Sequence, residues 1–238
     1  MHIAWGLPGG EEIIKDVSFI APTGRLVVVT GPNGGGKTSL AKLIAGLETP
    51  SAGHILLDGQ DITGLDITAR ARAGVGYAFQ QPVRFKGLTV RDLLELAAGR
   101  PMDETALCEV LGKVGLCANE YIGRELNASL SGGEIKRIEI ASVLARKAKL
   151  SIFDEPEAGI DLWSFARLVD TFEELRKNAE GTLMIISHQE RILAIADEIV
   201  VIAEGRVRAA GPREEILPTL LGNERAARCP LGKGSAVV

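Results

Sequence analysis

Three groups of residues in this chain have types and spacing suited to chemistry on a phosphorylated nucleotide. The first is Gly31-Pro32-Asn33-Gly34-Gly35-Gly36-Lys37-Thr38-Ser39, which follows the apolar run Leu26 to Thr30 and opens a helical pattern from Leu40. In a Gly-x4-Gly-Lys-Thr spacing, successive backbone N–H groups turn inward around a polyphosphate. Lys37 then reaches the β and γ phosphates, and Thr38 supplies a hydroxyl to Mg2+. A chance glycine-rich turn has no need of a strand before it and a helix after it, so this stretch reads as the phosphate grip of an NTPase. The second group is Leu150-Ser-Ile-Phe-Asp154-Glu155, an apolar strand ending in two carboxylates. Asp154 suits a metal ion, directly or through water, and Glu155 suits a general base that polarises an attacking water. The third is Leu130-Ser131-Gly132-Gly133-Glu134 ahead of a helical pattern. As structure it is a turn into a helix with Ser131 as N-cap; as chemistry, the exposed N–H groups of that helix start suit an anion such as a γ-phosphate. Both readings stand together.

The elements that must hold these groups follow from local pattern. Ile13 to Phe19, Leu26 to Thr30, His54 to Asp58 and Val75 to Phe79 read as strands around one helix. From Gln81 to about Ser129 the pattern turns helical, with Thr89 and Asp103 as helix caps. After Ser131 comes a helix from Glu134, a strand Leu150 to Asp154, a helix from Leu162 to about Asn178, and strands Leu183 to Ser187 and Ile199 to Ala203. Strands alternating with helices of this length predict an α/β protein with a largely parallel sheet covered by helices.

Bulk properties narrow the classes. A chain of 238 residues, 46% hydrophobic and 24% charged, suits a globular protein with one substantial core and a smaller lobe. Its apolar runs are far shorter than the roughly 18 residues of a bilayer span. Met1 to Gly10 lack the layout of a secretory signal, which predicts a cytoplasmic location. Cys108, Cys117 and Cys229 are too widely separated for a disulfide framework or a CxxC metal site, and read as ordinary thiols. The net charge of −4 offers nucleic acid no general attraction.

Taken in order, the glycine loop, Gln80 at a strand end, the Leu-Ser-Gly-Gly-Glu signature at Ser131, Asp154-Glu155, the Gly159-Ile-Asp161 turn and His188 after a late strand resemble an ATP-binding cassette (ABC) ATPase. The resemblance implies a P-loop NTPase with a RecA-like core, an antiparallel β subdomain and an inserted helical subdomain. One such domain would fill residues 1–238, with 1–80 and 130–238 as nucleotide-binding core and 81–129 as the helical insert. It implies ATP and Mg2+ as cofactors, and two copies paired head to tail, the glycine loop of one and the Ser131, Gly132 and Gly133 signature of the other enclosing each ATP. It also implies that Gln80 senses the γ-phosphate and Mg2+, that Asp161 contacts the opposite copy, and that His188 holds the γ-phosphate and attacking water. The adenine of such proteins stacks on an aromatic residue before the glycine loop. Trp5 is the one candidate here, although its place in a Gly- and Pro-rich start suits a loose chain end equally well.

Two branches of that family fit, an ATPase subunit of a membrane transporter and the SufC-like ATPases that drive a soluble SufB- or SufD-type scaffold in iron–sulfur cluster assembly. Ala69-Arg-Ala-Arg-Ala-Gly, Ala78-Phe-Gln80-Gln-Pro-Val, Ser131-Gly-Gly-Glu-Ile-Lys136-Arg-Ile-Glu-Ile and Gly159-Ile-Asp161 resemble the SufC wording, and the scaffold reading is the expectation. In that branch Lys136 would pair with Glu155 in the resting monomer. Pro156 and the short segment 81–129 depart toward the transporter ATPases, in which a membrane partner binds at the Gln80 region.

Overall fold

The computed structural model describes residues 2–6, 12–81, 83, 85–127, 129–178 and 181–227. In chain order they form β1 (His2–Gly6), β2 (Glu12–Ser18), β3 (Leu26–Thr30), α1 (Lys37–Ala45), β4 (Ala52–His54), β5 (Leu56–Leu57), β6 (Gln60–Asp61), α2 (Ile67–Ala73), β7 (Val75–Ala78), α3 (Val90–Ala98), α4 (Glu104–Lys113), α5 (Ala118–Tyr121), α6 (Gly132–Ala145), β8 (Leu150–Asp154), α7 (Leu162–Asn178), β9 (Thr182–Ile186), α8 (Glu190–Ile195), β10 (Glu198–Ala203), β11 (Arg206–Pro212) and α9 (Arg213–Ala227).

Nine strands make one sheet in the order β4-β1-β2-β11-β10-β3-β9-β8-β7. From β10 to β7 every pairing is parallel, whereas β1 pairs antiparallel with β2 and β4, and β10 pairs antiparallel with β11. The sheet is therefore mixed, with an antiparallel flank beside a parallel centre. The centre is buried on both faces, which is why β3, β8 and β9 read as unbroken apolar runs. Alternate residues feed two cores: Leu26, Val28, Phe153, Leu183 and Ile185 join one, while Val27, Val29, Ile152, Met184 and Ile186 join the other with Leu40, Leu43 and Ile44 of α1. Each such side chain contributes about 1.5–3 kcal/mol on burial, so the strand ends that carry the site rest on the stiffest part of the molecule.

Between β7 and α6 lie three helices. Thr89 and Asp92 form a reciprocal capping box on α3, and Asp103 caps α4 through the Ala106 N–H. Leu94, Leu107 and Leu111 face the same core as Ile138 and Ala141 of α6. Arg70 on α2 is 1% exposed, and its guanidinium donates to the carbonyls of Leu43, Ile44, Thr63 and Leu65. Part of the Ala69-to-Gly74 wording thus has a packing cause.

Several expected elements differ. The run His54 to Asp58 is broken at Ile55, whose buried side chain enters the core and whose N–H bonds the Thr63 hydroxyl at 2.8 Å instead of a strand neighbour. Residues 2–6, weighed as a loose start, form β1. The side chain of Trp5 and the whole of Cys229 lie outside the described residues. Cys108 and Cys117 are exposed free thiols. Among the described residues no helix is long and apolar enough to cross a membrane.

Candidate nucleotide site

The glycine loop runs from the end of β3 into α1, and its backbone leaves little room for other residues at several points, Gly31 and Gly36 among them. Gly31 has φ +135, and a Cβ there would lie 2.0 Å from the Ile202 carbonyl oxygen. Gly36, at φ +101, would press its Cβ to within 2.7 Å of Ile14. Pro32, Asn33 and Gly34 are exposed at the crest, Gly35 and Gly36 are buried, and Thr38 and Ser39 begin α1 half-buried. Lys37 is folded back over the loop, its ammonium donating to the carbonyls of Gly31 at 2.8 Å and Pro32 at 2.9 Å. Burial pushes its pKa down, and the carboxylates of Glu155 and Asp154 pull it back up.

Asp154, fully buried at the end of β8, is met by two hydroxyls: Thr38 donates to Oδ1 at 3.1 Å and Tyr77 to Oδ2 at 3.0 Å. Burial raises its pKa, against the two hydrogen bonds. A hydroxyl and a carboxylate in contact, all oxygen, are a donor pair that suits Mg2+, which takes one or two carboxylates and leaves other positions to water and phosphate. Tyr77, two residues after the start of β7, was not among the expected site residues; its place on the strand that leads to Gln80 was the available signal.

Glu155 follows at φ +45, a left-handed conformation that costs a non-glycine residue of order 1 kcal/mol. Its N–H bonds the Ile186 carbonyl at 3.0 Å, and its carbonyl accepts from Ala158 at 3.0 Å. That geometry turns the carboxylate toward Gln80, whose amide donates to Oε2 at 2.6 Å. The expected Lys136–Glu155 pairing is not found. Lys136 is 1% exposed, donates to the carbonyls of Phe79 and Gln80, and lies 3.8 Å from Glu139, which accepts the Phe79 N–H at 2.9 Å. One turn of α6 therefore clamps the backbone just before and at Gln80.

Ser131 is the N-cap of α6: its hydroxyl accepts from the Glu134 N–H, and its own N–H donates to Glu134. Glu134 also accepts from the Tyr121 hydroxyl, and these bonds hold its carboxyl down to about 2. Gly132 is exposed, and Gly133 sits against the Gly159 carbonyl, so the signature abuts the turn that carries Asp161. Asp161 caps α7 by accepting from the N–H groups of Trp163 and Ser164. His188 is exposed just beyond β9. The structure thus joins the glycine loop, Asp154, Glu155 and Gln80 in one cluster, with His188 just after the neighbouring strand β9 and the Ser131 signature beside the turn that carries Asp161.

A family model described as "ABC transporter" matches residues 14–158. The chain belongs to the ABC ATPase family. The uncharacterized ABC transporter ATP-binding protein MJ0035 of Methanocaldococcus jannaschii is 36% identical over 216 residues, covering 87% of this chain and 86% of that protein. The lipopolysaccharide export system ATP-binding protein LptB of Escherichia coli (strain K12) is 33% identical over 232 residues, covering 94% and 92%. Among solved structures, the dimeric post-hydrolysis state of the ATP-binding cassette MJ0796 bound to ADP and Pi superposes with a TM-score of 0.78 at 20% identity, covering 89% of this chain and 96% of that one. The last is a likeness of fold: a P-loop ABC cassette with a mixed sheet and a helical subdomain. As an ABC ATPase, the chain is an enzyme that binds and hydrolyses ATP.

Proposed function

We propose that this ABC ATPase is the motor subunit of a membrane transporter, closing as a head-to-tail pair around two ATP molecules. The observation that carries this reading is a groove of about 200 Å3 lined by Ala45, Ile67, Tyr77, Phe79 and Ala97, where residues of α1, α2, β7, α3 and α6 converge and Phe79 directly precedes Gln80. Exposed Ile67 lines it and exposed Leu96 adjoins Ala97 in the chain, an apolar surface suited to a short helix of a membrane partner. The export-system name carried by LptB supports the same branch. In this reading 1–80 and 130–238 form the nucleotide-binding core, and 81–129 is the helical lobe that the partner moves.

Within each site, the N–H groups of Gly31 to Ser39 wrap the phosphates, and Lys37 leaves its two carbonyls for the β and γ phosphates. Thr38, Asp154 and Gln80 would hold Mg2+, which supplies charge neutralisation at the phosphates when bound. Glu155 takes the proton of the attacking water, His188 orients that water and the γ-phosphate, and the partner copy presents Ser131, Gly132, Gly133 and Asp161 across the interface.

A second reading, an ATPase driving a soluble SufB- or SufD-type scaffold, draws on the sequence wording at Ala69 to Val83 and Ser131 to Ile140. Purifying tagged Glu155→Gln protein from its own cells in mild detergent with ATP and Mg2+, and identifying co-purifying proteins by mass spectrometry, separates the two. A polytopic membrane protein is the expected outcome. A soluble SufB-like protein in its place overturns the transporter reading.

A further inference from the structure

Glu157 stands two residues after Glu155, outside the cluster formed by the glycine loop, Asp154, Glu155 and Gln80. Its side chain turns inward: Oε1 accepts the Ser187 hydroxyl at 2.6 Å, while Oε2 is buried with no hydrogen-bond partner among the described residues. A buried carboxylate oxygen left unpaired is costly, and such an atom near a catalytic group calls for a ligand or a second state that satisfies it. The surroundings name the group. Ser187 is fully buried, its N–H is tied to Val29 at 3.2 Å, and its hydroxyl in turn accepts the Gln189 N–H at 3.0 Å. His188 lies between these two anchored residues, and its imidazole is close enough for its charge to act on Glu157.

We propose that Glu157 is a positioning residue for hydrolysis, latching the His188 segment through Ser187 and receiving the His188 imidazole N–H on Oε2 when the ring turns to the nucleotide. The bond fixes which ring nitrogen carries the proton and leaves the other facing the γ-phosphate and water. It also joins the turn that carries Glu155 and Asp161 to the loop that carries His188. The proposal rests on the assignment of His188 made above.

A kinetic double-mutant cycle tests it. Glu157→Gln keeps an oxygen for Ser187 but replaces the free acceptor with a donor. ATP turnover is expected to fall about 10-fold or more, with KM for ATP changed less than about twofold. His188→Ala is expected to lower turnover strongly, and Glu157→Gln/His188→Ala to match it, because Glu157 acts through the imidazole. Thermal unfolding and nucleotide binding of each variant show that the fold persists, and Ser187→Ala, which removes the latch but spares Oε2, is expected to give a smaller loss. Wild-type turnover in Glu157→Gln, or losses that simply multiply in the double variant, overturns the coupling. Wild-type turnover in His188→Ala overturns the role of His188 itself, a different failure.

Discussion

Lys37 and Glu155 each hold an internal partner, the first in the Gly31 and Pro32 carbonyls and the second in the Gln80 amide. In the proposed mechanism nucleotide binding displaces both, and the replacement of each residue has a different effect. Lys37→Ala is expected to abolish tight ATP binding in a calorimetric titration, since Lys37 is the one cationic residue in the stretch Gly31 to Ser39. Glu155→Gln should leave binding intact and slow hydrolysis by about 10²-fold, the size of a general-base contribution; turnover at the wild-type rate would remove Glu155 from that role. Glu157 gives a pH signature of its own. Burial raises its pKa above 4.5, so from that pH up to its folded value the folded chain keeps a proton that the unfolded chain has released. Stability therefore falls as pH rises through that window, and Glu157→Gln, which has nothing to titrate, escapes the loss. The melting temperature of the variant relative to the parent is expected to rise as the pH climbs above the ordinary carboxylate range; a gap that stays constant or narrows contradicts the burial argument.

Among the elements, α6 does two jobs at once. Its first residue follows the Ser131 cap, and its next turn grips the Phe79 and Gln80 backbone through Lys136 and Glu139. Lys136→Met strands Glu139 and two carbonyls in a buried setting, and is expected to cost about 3–5 kcal/mol in urea unfolding, with Lys136→Met/Glu139→Gln recovering part of that. Equal stability of Lys136→Met and the parent would show that the clamp is not formed. The sequence revealed elements with strong local signals: the β3, glycine loop and α1 unit, β8 with its two carboxylates, and the helices capped by Thr89, Asp103 and Ser131. Elements fixed by tertiary pairing were harder to see. β11 is built from Arg206-Val-Arg-Ala-Ala-Gly-Pro with no continuous apolar face, and it becomes a strand by pairing with β10. Lys136 resembled a partner of Glu155, yet only the depth at which α6 packs decides that it meets backbone carbonyls instead. Glu157 and Tyr77 were missed for the same reason, because direction into the site is not written in residue type.

At the scale of the molecule, the proposed head-to-tail pair divides each site between two chains, the glycine loop of one and the Ser131 signature of the other. Ser131→Arg is expected to spare ATP binding by the single chain while blocking the ATP-dependent dimer of a Glu155→Gln background, read by light scattering; a dimer that persists would contradict the head-to-tail arrangement. Trp163, 84% exposed beside Asp161, offers a second readout. Its fluorescence should shift on pairing, and Trp163→Phe should abolish that shift.

Arg70 bears on this machinery from the far end of α1. Its guanidinium sits among the last carbonyls of that helix, at Leu43 and Ile44, in the dry interior. The negative pole of the α1 dipole is thereby compensated within the fold, while at its positive pole the Asp154 carboxylate is engaged by the Thr38 and Tyr77 hydroxyls. Charge of both signs is laid out along this one helix before any ligand arrives, and in the proposed function an incoming triphosphate meets its positive end.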